Sequence, residues 1–254
     1  MNATIGINPV LEFPQVQVLN LVDGKKAIKH LERIGRTCYK SEDKITEDSY
    51  ASFLRGLIDR GHEAMLEHVS VTVLFYTDRG VSHELVRHRL ASYAQSSTRY
   101  CNYSQDKFGN AIHVIRPTGF NAGEVRQDAY VPHFVDNVTA WNVEMERCKL
   151  NAFDVWFVAM LHANWAYQTL VRKFNCSPQE ARSVLPQSTA TDIAVTANLR
   201  EWRHIFKLRV LGTTGVPHPD MREVMLCALA AMHREFPIVF DDIVDECVTK
   251  GILS

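Results

Sequence analysis

Ala27, Ile28, Leu31 and Ile34 recur at three- and four-residue spacing, the period of a helix with one buried face. Gly35 is expected to close that helix, which makes Gly35–Tyr39 a polar turn and Cys38 a buried thiol. Ahead of it, Val16 and Val18 flank Gln17 as a short strand, and residues 1–15, with two prolines, read as an extended arm. A second amphipathic helix carries Tyr50, Phe53, Leu54, Leu57 and Ile58, with Thr46 or Asp48 as its cap and Gly61 as its stop. Val69, Val71, Val73 and Phe75 alternate with Ser70 and Thr72, which predicts a half-buried strand. Thr77–Gly80 reads as a turn. Val81, Leu85 and Val86 then begin a helix that ends on Arg87, His88 and Arg89.

Pro117, Gly119, Gly123 and Pro132 punctuate residues 104–137, read as loops with short elements. Residues 138–174 hold no glycine or proline and read as helical. Their apolar stripe is Trp141, Met145, Cys148, Ala152, Val155, Ala159 and His162. Ser177-Pro178-Gln179-Glu180 is a capping box with proline at the first helical position. Thr189, Thr191, Ile193 and Val195 alternate as a strand. Asn198-Leu199-Arg200-Glu201 then opens a helix with Trp202, Ile205, Phe206 and Leu208 inward. Residues 212–219 read as a loop. The last main helix spans Pro219–Glu235, with Val224, Ala228, Ala231 and Met232 inward. Nothing in this pattern repeats or resembles a linker, so residues 1–254 read as a single domain.

Composition narrows the function classes. An apolar share of 46% with 22% charged residues is that of a globular chain, and 254 residues suffice for a large core. A net charge of −1 gives no global attraction to nucleic acid or to an anionic membrane, so neither partner is expected. The six cysteines are scattered with no CxxC pair, which argues against a zinc ribbon and a disulfide scaffold. No leader or membrane span is read from the hydropathy, and a reducing cytoplasm is the expected compartment.

Against this neutral body, residues 87–100 stand out. Arg87, His88 and Arg89 are followed by Ser92, Gln95, Ser96, Ser97, Thr98, Arg99 and Tyr100. Arginine presents a permanently charged planar fork that fits phosphate or carboxylate at two points. The hydroxyls add donors, so the segment suits phosphates and a polar heterocycle; a solvated basic turn is the plainer alternative. Glu84 lies three residues before Arg87, at the spacing of an ordinary helix ion pair. His62-Glu63 and His68 have the wrong spacing for a zinc helix, so no metal is expected.

Arg87-His88-Arg89, seven residues and then Ser97, followed by Arg99-Tyr100, resembles the signature of the flavin-dependent thymidylate synthases. Further blocks agree in order. Gly61-His62-Glu63 resembles the family's Gly-His-Glu, Ala181-Arg182 through Leu185-Pro186 its A-R-x-x-L-P, Asn198-x-Arg200 its N-x-R, and Leu208-Arg209 its L-R. The chain departs from many members at Ala94-Gln95, where they carry Asn-Glu; an amide there hydrogen-bonds but does not take up a proton. His204 also stands where some members carry Asn.

The resemblance implies an α+β fold with a mixed sheet flanked by long helices, assembled as a homotetramer with shared active sites. It implies reductive methylation of dUMP to dTMP, with methylenetetrahydrofolate as one-carbon donor and FAD, reduced by NADPH, as hydride source. Arg209 is the implied catalytic residue. Glu84, Arg87, Gln95, Ser96, Ser97, Thr98, Arg99, Arg182 and Arg209 are the implied dUMP contacts. His62, Ala64, Arg87, His88, Arg89, Gln95, Asn198, Arg200 and His204 are the implied FAD contacts. Two other readings stay open from the residues alone: a flavoprotein acting on another substrate, and an RNA-binding module led by the arginine segment. The second would ordinarily show a basic stripe and aromatic stacking platforms.

Overall fold

Strand β3, Ser70–Asp78, runs through the middle of the larger of two compact units. The computed structural model describes residues 8–19, 23–120 and 151–253. The larger unit comprises residues 14–95 and 191–254; the smaller comprises 1–13 and 96–190. The fold class is α+β.

In the larger unit, β3 lies between β2 (Gln15–Val18) and β6 (Ala190–Asn198), and β4 (Ala91–Gln95) pairs with the far side of β6. The β2–β3 and β4–β6 pairs are antiparallel. Val71, Val73 and Phe75 of β3 and Ile193, Val195 and Ala197 of β6 face the core, as their alternation dictates. Thr72 and Thr196 share a 2.8 Å hydroxyl hydrogen bond on the other face.

Helices α1 (Gly24–Tyr39) and α2 (Ser49–Asp59) pack on each other. Gly35 does not close α1. It lies inside the helix, where a Cβ would stand 2.7 Å from the Phe53 ring, so its smallness serves helix packing. The helix stops instead at Lys40, in the left-handed conformation. Cys38 is consequently on the exposed face of a helix rather than buried. Gly61 does end α2: with φ of +71° it lets its own N–H reach Ile58 O and that of His62 reach Leu57 O. Asp48 is the N-cap residue of α2 without a side-chain bond.

Thr77 and Asp78 continue β3, and Arg79 and Gly80 already belong to α3 (Arg79–Leu85), so the expected turn is absent. Asp78 caps α3 by accepting from Val81 N–H at 2.7 Å, joining strand directly to helix. Beyond α6 (Leu199–Phe206) come α7 (Pro219–Glu235) and α8 (Pro237–Thr249). α8 was not expected from the sequence, and it buries Ile238, Val239, Phe240, Ile243 and Cys247.

The smaller unit joins β1 (Val10–Glu12) in parallel to β5 (His113–Ile115), so the N-terminal arm contains a strand. Its long helix α4 (Ala152–Arg172) starts from a capping box of Asn151 and Asp154. The expected helix start near 138 and Trp141, Met145 and Cys148 lie outside the described residues. Of the expected stripe, Ala152, Val155, Ala159 and His162 are exposed. The buried face is Phe153, Met160, Asn164, Tyr167 and Gln168. Counting only apolar residues misplaced it, because Asn164 accepts from Ile112 N–H at 2.9 Å and Gln168 donates to Tyr103 O at 3.1 Å. Polar residues enter a core when they satisfy backbone groups there. The capping box at Ser177 and Glu180 opens the short α5 (Pro178–Ala181).

Candidate active site

A cavity of about 930 Å³ opens in the larger unit, among the residues that follow α3, the start of α6 and the turn that follows α6. Arg87, His88 and Arg89 sit just past the last turn of α3, and Leu90 completes that wall. Tyr93 of β4 fixes the turn: its hydroxyl reaches the Leu85 carbonyl at 2.8 Å and also lies against the His88 carbonyl. Burial, with Glu201 nearby, pushes the Tyr93 phenol up to about 12, so it stays a donor.

Asn198 is the cap of α6 and accepts from Glu201 N–H at 2.8 Å, which turns the start of that helix, with Arg200, toward the cavity. After Phe206 the chain widens into a π turn, Lys207–Leu211. The i→i+5 turn shifts the register of faces. Val210 and Leu211 are buried there, whereas Leu208, expected inward, is half-buried and lines the cavity with Lys207 and Arg209. Gly212, with φ of +71°, ends the turn; a Cβ there would meet Gly215 O at 2.9 Å.

Arg209 is anchored at three points. Its Nε donates to His88 Nε2 at 3.1 Å, its Nη1 to the Glu84 carboxylate at 2.9 Å, and its Nη2 to the Glu84 carbonyl at 3.4 Å. The side-chain partner of Glu84 is therefore Arg209, not the expected Arg87, which lies beyond the end of α3 and meets Glu84 through its backbone N–H, bonded to the Glu84 carbonyl at 3.3 Å. His88 is 6% exposed, and burial, reinforced by Arg209 and His204, drops its ring to about 4, so it is neutral at pH 7. The His204 ring stands edge-on to it at 6.4 Å.

The cavity carries five cationic side chains, Arg87, Arg89, Arg200, Lys207 and Arg209, against three carboxylates, Glu63, Glu67 and Glu201. Two of those carboxylates are already engaged. Glu67 pairs with Arg200, and Glu63 with Arg203 and Lys207. The third, Glu201, is raised by burial. The pairs with Glu67 and Glu63 also take up Arg200 and Lys207, and Arg209 is paired with Glu84, so Arg87 and Arg89 carry the surplus positive charge that suits an anionic ligand.

The family model described as "Thymidylate synthase complementing protein" matches residues 20–238. A flavin-dependent thymidylate synthase of Corynebacterium efficiens is 31% identical over 241 residues, covering 94% of this chain and 88% of that protein. One from Mycobacterium tuberculosis is 32% identical over 235 residues, covering 90% and 84%. The chain belongs to the flavin-dependent thymidylate synthases. Two solved structures share the fold. A UMP/dUMP methylase, PolB, from Streptomyces cacaoi, bound with 5-Br dUMP, superposes with a TM-score of 0.66 at 21% identity, over 93% of this chain and 97% of that one. Thymidylate synthase X from Helicobacter pylori, with FAD and dUMP, gives 0.61 at 19% identity, over 91% and 98%.

In this flavin-dependent thymidylate synthase the expected site residues divide between the two units. The cavity gathers Arg87, His88, Arg89, Asn198, Arg200, His204 and Arg209, which are far apart in sequence. Glu84 touches it through Arg209. Gln95 is turned inward, its amide nitrogen donating to Ser82 Oγ at 2.9 Å and Thr191 Oγ1 at 3.1 Å. His62 and Ala64 are exposed and do not line the cavity; His62 Nδ1 bonds the Tyr39 hydroxyl at 3.3 Å. Ser96, Ser97, Thr98, Arg99 and Arg182 belong to the smaller unit. There Arg99 donates to Gln179 at 2.7 Å, which ties it to the short helix that leads into Arg182. Both arginines are exposed.

Glu67, Glu201 and Lys207 line the cavity and escaped sequence reasoning, as did the residues that hold Glu63. Glu63 was visible within Gly-His-Glu, but its partners were not. Arg203 is 1% exposed and clamps Asp242 of α8 through two nitrogens at 2.7 Å each, while its Nε reaches Glu63 at 3.0 Å. An arginine, a Gly-His-Glu carboxylate and a C-terminal aspartate carry no joint pattern in one sequence.

Proposed function

We propose that the two units work as one domain that methylates dUMP to dTMP, with methylenetetrahydrofolate as carbon donor and NADPH as reductant. The observation that carries this reading is Arg209, a charged fork anchored at the wall of a cationic cavity in a chain of this family. The cavity's donor set suits the diphosphate and polar ring edge of FAD. Arg87, His88, Arg89, Asn198, Arg200 and His204 would hold it, with His62 and Ala64 at its margin and Gln95 reaching both ligands. When bound, the flavin supplies the hydride.

The chain's own residues would do the rest. Uracil C5 is a weak nucleophile, and a fixed positive charge at the ring carbonyls and N3 stabilises the polarised, electron-rich form of the ring in which C5 is reactive. Arg209 takes that role. It has five N–H donors and spends three on His88 and Glu84, which leaves two for a pyrimidine. Arg99 and Arg182 bind the phosphate, with Ser96, Ser97 and Thr98 assisting, and Arg87 and Glu84 stand toward the base. The chain acts as a homotetramer with shared sites, so a given nucleotide draws on more than one copy. The scattered cysteines support a reducing cytoplasm as its compartment.

The test is the absorbance spectrum of purified protein, followed by reoxidation of the reduced flavin with and without dUMP and methylenetetrahydrofolate. Bound flavin whose reoxidation responds to dUMP is expected. Protein that takes up no FAD, or whose flavin ignores dUMP, contradicts the reading.

A further inference from the structure

The Arg209 side chain makes three hydrogen bonds, and all go to two residues of one short stretch of chain, Glu84 and His88. We infer that His88 and Glu84 are positioning residues for the reaction: they hold the Arg209 guanidinium in one orientation at the cavity wall, His88 accepting through Nε2 and Glu84 through its carboxylate and carbonyl. The inference rests on the catalytic role proposed for Arg209 and deepens it.

Geometry requires a specific protonation state. A ring nitrogen that accepts from a guanidinium N–H carries no proton, so the one proton of neutral His88 is on Nδ1. The surroundings favour that state. Arg209 and the His204 ring face His88 from the π turn and α6, and Arg87 and Arg89 flank it in sequence. The Glu84 carboxylate of α3 is spent on Arg209, and Tyr93 of β4 holds the backbone carbonyl of His88. Burial, with Arg209 and His204 beside the ring, disfavours an imidazolium.

Arginine on a flexible stem samples many rotamers, and a catalytic charge displaced by about 1 Å costs on the order of 10²-fold in rate. Three bonds from one rigid turn fix two directions of the guanidinium plane. Glu84 also offsets part of the charge of Arg209.

A double-mutant cycle tests this. Turnover to dTMP is measured at saturating dUMP and FAD for wild type, His88→Ala, Arg209→Ala and the pair. We expect His88→Ala to lower turnover by about 10²-fold with a small change in dUMP requirement, and to add less than about twofold once Arg209 is already alanine. Full multiplication of the two losses would overturn the inference, because His88 would then act independently of Arg209. Glu84→Gln keeps an acceptor oxygen and should retain more turnover than Glu84→Ala; equal losses count against Glu84. If the His88 variant loses FAD, nitrogen-15 spectra of the wild-type histidines decide. A neutral His88 with its proton on Nδ1 at pH 7 supports the inference, and an imidazolium or a protonated Nε2 refutes it. Wild-type protein that binds FAD but forms no dTMP would sink the proposed function, and the spectra would still report on the Arg209 cradle.

Discussion

Phosphate contacts are made in ground and transition state alike, whereas a charge facing the activated pyrimidine counts for more in the transition state. Arg209→Ala should therefore lower methylation at saturating dUMP by about 10²–10³-fold and leave reduction of FAD by NADPH measurable. Arg182→Ala should instead raise the dUMP concentration needed. Steady-state kinetics of both variants check this, and full turnover of Arg209→Ala would contradict it. His88 makes a separate prediction about stability. Its folded pKa of about 4 lies below the 6.5 of a free ring, so the unfolded chain takes up the proton first as pH falls. The contribution is intact above pH 6.5 and lost between 6.5 and 4. At about 1.4 kcal/mol per unit, the move from pH 7 to pH 5 costs about 2 kcal/mol at this residue. Urea unfolding of wild type and His88→Gln at both pH values should show a smaller loss in the variant; equal losses would contradict the assignment. The spacing of Arg87-His88-Arg89 and Ser97 was legible in the sequence. The bond from Arg209 to His88 was not, because 121 positions separate them and no local rule links an L-R pair to a histidine in a distant turn.

Helices and strands were legible where a single face is apolar. β3 and α2 follow their alternation and their three- and four-residue spacing closely. Elements whose ends depend on tertiary contact were not. Gly35 looks like a stop signal and is a packing site, while β4 hides in a polar run because its pairing with β6, not its composition, makes it a strand. Gly24 shows the same dependence. It opens α1 against the end of α7, and a Cβ there would lie 1.8 Å from Glu235 O, a backbone atom with little room to move. Helix propensity alone favours Gly24→Ala by up to about 1 kcal/mol. Overlap with backbone should outweigh that, for a net loss of about 1–3 kcal/mol and a fall in Tm of roughly 2–4 °C per kcal/mol. Calorimetry that finds the variant as stable as wild type would contradict this account of the α1–α7 contact.

For the whole molecule, the α+β class was what the resemblance of the Arg87-His88-Arg89 block and the later motifs implied, and the fold shared with the solved structures bears it out. Among the described residues no helix is long and apolar enough to cross a membrane. The exposed face of α4 is apolar for a solvated helix, with Val155 at 42% and Trp165 at 56%, which fits a chain that assembles with copies of itself. Sedimentation equilibrium should give a tetramer; an active monomer would contradict the proposal of shared sites. The most direct test of the central claim is product formation. The purified protein is incubated with dUMP, methylenetetrahydrofolate, FAD and NADPH, and nucleotides are separated by chromatography, with each component omitted in turn. The account predicts dTMP in the complete mixture and none without methylenetetrahydrofolate or without reductant; FAD-loaded protein that leaves dUMP unchanged in the complete mixture would contradict it.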